Sequence, residues 1–224
     1  MAIPPDHDPV CLLPSNPEWV PADKALFDYP YSDYSPDHAR WVDQKKDELR
    51  KQWGKEYFSK ILDRVGIQIS AANRVAMDSL ENNPRFRWLF YVDCFMFPFD
   101  NPNMEINPDQ TLDYPMQENV LHRYLVQASI PALPSDFADY ESFIRRILEN
   151  DRRQGALAIT FEAAYFRSLH LSHPPRGQAE GIYAKYSRGD VPSTDECLAF
   201  QNHTFRYPIT QAGPLHLQVH GRCR

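Results

Sequence analysis

Glycine is scarce in this sequence, at 8 of 224 residues (about 4%) against a typical ~7%. That disfavours glycine-hinged phosphate loops. There is no GxGxxG, no P-loop, no GxSxG and no HExxH. Cysteine is sparse as well. Cys11, Cys94, Cys197 and Cys223 are far apart and form no CxxC. Such scattered thiols predict a reduced, cytoplasmic protein rather than a disulfide framework or a zinc knuckle. No run of 18 apolar residues exists, so no membrane span is expected. The opening Met1-Ala2-Ile3-Pro4-Pro5-Asp6 has neither a basic head nor an apolar stretch, so no secretory signal is expected. Positive charge is also short. The formal net charge is −6 and the pI about 5.7, which argues against nucleic acid as a partner.

Proline and aromatic residues are plentiful. Twenty prolines make up about 9% of the chain, against ~5% normally. Phe 13, Tyr 12 and Trp 4 exclude a low-hydrophobicity disordered chain. Seven prolines fall in residues 1–35, which read as an ordered, irregular segment ahead of a main domain at 36–224. Ser35-Pro36 opens a helix, with Ser35 as N-cap and Pro36 at its first position. Its charged run Lys45 to Lys55 reads as a solvated face. A second helix runs from Tyr57 to Val65 and stops at Gly66.

Buried strands are expected at Ile67–Ala72, Arg85–Asp93 and Ala156–Phe161, and an alternating strand at Leu215–His220. Proline-rich 98–118 reads as an excursion, followed by a helix at about 116–129. Ser135 is expected to cap the next helix. Ser193 and Glu196 form a capping box whose helix should reach about Tyr207, before Pro208. Strands separated by helices predict a parallel α/β sheet.

In such sheets, active residues gather at the C-terminal strand ends. Asn73 and Arg74 follow the first strand, and Asp93 ends the second. Glu162, Tyr165 and Arg167 follow the third, and His220 ends the fourth. Together they could hold a metal and an acidic substrate. Each could equally cap a strand or pair locally. His216 and His220 face one side of their strand, as a metal-binding pair can. His170 and His173 sit beside Pro174-Pro175 and read as loop residues.

A colinear set of segments carries a family resemblance. It begins with Asn16-Pro17-Glu18, Tyr29-Pro30-Tyr31, Gly66-Ile67 and Ala72-Asn73-Arg74-Val75-Ala76-Met77. It continues through Pro84-Arg85-Phe86-Arg87-Trp88, Phe97-Pro98-Phe99-Asp100-Asn101 and Ala156–Leu169. Ile182-Tyr183-Ala184-Lys185-Tyr186 and Ala212–Leu217 complete it. Together these resemble the bacterial branch of the amidohydrolase-related superfamily of metal-dependent hydrolases, which are (β/α)8 barrels. The resemblance implies a partial TIM-barrel-like fold of about four parallel strands, with the barrel not closed.

Substrate-binding roles are expected for Asn73, Arg74, Asp93, Glu162 and Arg167 from their positions at strand ends, and the resemblance implies a metal role for His220. Complete relatives hold a divalent metal, zinc or similar. This sequence departs from the pattern. No His-x-His precedes Ser35, Thr160 stands where a carboxylated lysine is expected, and Gly221-Arg222-Cys223-Arg224 follows His220. The expectation is a truncated, catalytically impaired hydrolase acting on a small-molecule substrate. The alternatives are a non-catalytic relic that folds only through self-association or a partner, and a plain binding domain for an acidic small molecule.

Overall fold

The computed structural model describes residues 16–73, 83–101, 108–165 and 167–220. The chain forms two compact units, 1–70 and 71–224.

The first unit is helical. Within the proline-rich segment a helix does form, α1 (Trp19–Phe27). Pro21 falls in its first turn, where a missing N–H costs nothing. Helix α2 (Pro36–Trp53) starts as expected, with the Ser35 hydroxyl accepting from the His38 N–H. Its outer face carries the Lys45–Glu48 and Arg50–Asp47 pairs. Helix α3 (Tyr57–Arg64) follows. Phe27, Tyr29, Val42, Leu49 and Tyr57 make the buried centre of this unit.

The strand expected at Ile67–Ala72 lies later, as β1 (Ser70–Asn73). Ile67 and Ile69 are exposed. Gly66 adopts φ 69°, and the Ile67 N–H donates to the Leu62 carbonyl at 2.9 Å. The helix cap therefore captures Ile67 before a strand can start.

In the second unit, β1, β2 (Phe86–Tyr91), β3 (Ala158–Phe161) and β4 (His216–Val219) form one parallel sheet in that order. With its helices it makes the open, curled half-barrel that the sequence implied. In register, Leu89 pairs with Ala158 and then His216, and Tyr91 pairs with Thr160 and then Gln218. Phe90, Ile159 and Leu217 form the intervening row on the other face.

Helices pack on that other face. The ring of Phe161 meets that of Phe205 at 4.2 Å, on α7 (Thr194–Gln211). The helical core is a stack of rings. Phe137 and Tyr140 of α5 (Phe137–Arg153) meet Tyr183 of α6 (Arg176–Tyr186) at 5.4 and 4.8 Å. Phe200 of α7 lies 6.0 Å from Tyr183.

Three helix boundaries differ from expectation. Helix α4 (Pro108–Gln127) starts well before 116 and carries Pro115 inside it. Asp136, not Ser135, caps α5, its carboxylate accepting from the Ala138 and Asp139 N–H groups. Helix α7 does have the Ser193–Glu196 capping box, but it runs through Pro208 to Gln211. Pro208 removes one N–H and is buried within the helix.

Candidate functional site

The register places Tyr91, Thr160 and Gln218 side by side on the sheet face opposite the helices. Alternation carries Glu162 and His220 onto that same face, at the C-terminal strand ends. Cross-strand bonds join the row. The Thr160 hydroxyl donates to Gln218 Oε1 at 3.2 Å, and the Tyr91 hydroxyl donates to Glu162 Oε1 at 2.8 Å. Tyr91 is itself fixed from below, because its carbonyl accepts from the Tyr124 hydroxyl at 2.9 Å.

Asp93 is fully buried just past β2. Its Oδ2 accepts from the Glu162 backbone N–H at 2.8 Å. Its Oδ1 has no hydrogen-bond partner among the described residues. Burial pushes its pKa up to about 8, and the nearby Glu162 carboxylate pushes the same way, against the pull of backbone N–H donors. At neutral pH this acid therefore holds its proton mostly, while a second carboxyl stands beside it. The bond between the two residues runs to the Glu162 backbone, and Asp93 is the group placed to hold a proton at this strand end.

His220 lies level with this pair. Its backbone N–H donates to the Phe161 carbonyl at 2.9 Å. Its ring Nε2 is buried without a partner among the described residues. His216 and His220 do not form a metal-binding pair. Four residues of strand separate them by roughly 13 Å, far beyond a shared ion at ~2 Å from each nitrogen. Among the described residues no group of three or more His, Cys, Asp or Glu side chains could hold a metal ion. A hydrolytic centre takes about three protein ligands, so these residues do not fit one. Thr160, buried where the resemblance expects a lysine, is committed to Gln218.

Asn73 ends β1. Arg74 lies outside the described residues. Tyr165 is exposed. Arg167 turns toward α7, where its guanidinium donates to Gln201 Oε1 at 3.1 Å and to Asn202 Oδ1 at 2.7 Å. It also donates to the Ser168 and His170 carbonyls.

The sequence reading missed Tyr91 and Gln218. Extending the period-two alternation back from Asp93 and His220 finds both. Nothing in the sequence announces Gln201 and Asn202, which lie over 30 residues from Arg167 and meet it only through the fold.

No family model matches this chain, and no curated protein matches it in sequence. Its fold is similar to that of uronate isomerase from Thermotoga maritima. The TM-score is 0.62 and the identity 10%. The match covers 93% of this chain and 44% of the isomerase, so the chain spans less than half of that protein's length. At this identity the likeness establishes the fold alone: an open, parallel α/β half-barrel.

Proposed function

We propose that this chain is an amidohydrolase-like half-barrel that supplies the proton-handling side of a hydrolytic site for a small-molecule substrate. On the residues described, it is not a competent metal-dependent hydrolase by itself. The observation that carries this reading is the buried Asp93 carboxyl, raised by burial and bonded to the Glu162 backbone N–H at the adjacent strand end. In parallel barrels that rim is where chemistry happens. Asp93 would move the proton, Tyr91 would hold the Glu162 carboxylate, and further ligands would come from whatever completes the barrel.

The test is ester and amide hydrolysis by the purified protein with added zinc or manganese, together with the metal retained after dialysis. The expected result for the monomer is no stoichiometric metal and no turnover above the free-ion background. Chelator-sensitive turnover by the monomer would contradict it. If turnover rises only in an associated form, Asp93→Asn should remove it. Turnover that survives that change would contradict the role of Asp93.

A second reading concerns self-association, favoured by the exposure of β4. All four of its residues are exposed, with Leu217 at 46% and Val219 at 39%. These two share the face that Ile159 and Phe161 bury beneath helices. Their N–H groups alternate with those that bond β3, and so point to the open edge. Strands β1 and β4 are the two edges of a four-stranded parallel sheet. Two copies would supply the eight strands that a closed barrel requires.

A further inference from the structure

A cavity of about 400 Å3 lies between the loop after β3 and helix α7. Arg167, Ser168, His170 and Ser172 line one side, and Asp195, Leu198 and Asn202 the other. The half-buried Arg167 has four of its five N–H donors placed, all on neutral oxygens: Ser168 O, Gln201 Oε1, His170 O and Asn202 Oδ1. These bonds fix the guanidinium plane but leave its charge without an ion pair among the described residues. Burial lowers its pKa; the Cys197 thiol pulls weakly the other way, and no carboxylate among the described residues does. A desolvated cation held by neutral acceptors is costly unless an anion arrives.

The opposite wall carries the counterpart. Asp195 stands in the first turn of α7, stabilised there by the helix N-terminus. It too has no ion pair among the described residues, and it does not pair with Arg167 although both line the same space. Two opposite charges facing one cavity without meeting call for a ligand that bears both.

We propose that this cavity binds a small amino-carboxylate, its carboxylate on the free Arg167 N–H and its ammonium on Asp195. The ring of His170 and the hydroxyls of Ser168 and Ser172 supply further polar contacts on the carboxylate side. Leu198 packs against the connecting carbons. Gln201 and Asn202 are positioning residues that hold the guanidinium toward the cavity. The site is separate from the Asp93–Glu162 pair and does not depend on the hydrolytic reading.

The test uses the full chain and three probes of similar size: β-alanine, propionate and ethylammonium. Saturation-transfer NMR gives their affinities, and the Arg167 Nε–H resonance reports occupancy. The expected result is saturable β-alanine binding at least tenfold tighter than either single-charge probe, with a shift of the Arg167 signal. In Asp195→Asn, whose carboxylate makes no described contact, that preference over propionate should vanish while the fold is retained. Arg167→Gln should lose β-alanine and propionate binding together. Equal affinities for all three probes, or no saturable β-alanine binding at 50 mM, would overturn the proposal. So would an Asp195→Asn protein that keeps the preference.

Discussion

At the scale of single residues, Asp93 governs how this fold responds to pH. Its carboxyl is raised from an ordinary 3.8 to about 8 because charging it inside the protein is costly. The folded state therefore keeps a proton that the unfolded chain releases above about pH 4. Stability from this group is fully present below the unfolded value and is lost as pH rises toward 8, at up to about 1.4 kcal/mol per pH unit. Asp93→Asn should flatten that slope, measured as the urea midpoint at pH 5 and pH 8. An equally steep loss in the variant would show that other groups set it. The sequence marked Asp93, Glu162 and His220 because each directly follows an apolar run. It could not reveal the orphaned Oδ1 or the Tyr91 bond, since both depend on which strands become neighbours.

At the scale of elements, one charged cluster ties three helices together. Glu141 on α5 accepts from Arg176 on α6 at 2.8 and 2.9 Å, and sits 3.1 Å from the His203 ring on α7. Glu141 is nearly buried, so a neutral amide there offers one acceptor oxygen in place of two and weakens the bonds from Arg176 and His203, while Arg176 keeps Glu180. Glu141→Gln should cost about 1–3 kcal/mol in chemical denaturation. No measurable loss would mean that ring stacking alone holds the helices.

Elements differed in how readable they were, and the reasons are local. Strand β3 was clear because Ala158–Phe161 is small and apolar between breakers, and it is buried throughout. Helix α4 was obscured by Pro115, which reads as a stop yet sits inside the helix. Helix α7 was drawn too short for the same reason at Pro208. The strand before Asn73 was placed too early because its isoleucines look like core, whereas the α3 cap claims the first of them.

At the scale of the whole molecule, the parallel α/β sheet was legible from the alternation of strands and helices, and its half-barrel form only from the family resemblance. The exposure of β4 was not, because exposure depends on what lies beyond an edge. If the edges pair, sedimentation velocity across a hundredfold range of protein concentration should show a reversible dimer. Leu217→Lys with Val219→Lys should shift it to monomer without changing the far-ultraviolet spectrum, because lysine protects an edge from pairing. A wild-type protein that stays a well-folded monomer throughout would remove the self-association reading and leave the acid pair untouched. No helix in the described residues is long and apolar enough to cross a membrane.

The most direct test of the acid pair as the working centre is the carboxyl carbon signal of Asp93, followed through a pH titration by 13C NMR. It is assigned by its loss in Asp93→Asn. The expected result is an apparent midpoint near 8 for Asp93. A midpoint near 4 would mean that Asp93 is an ordinary charged carboxylate, and the strand ends would then hold no proton-handling pair.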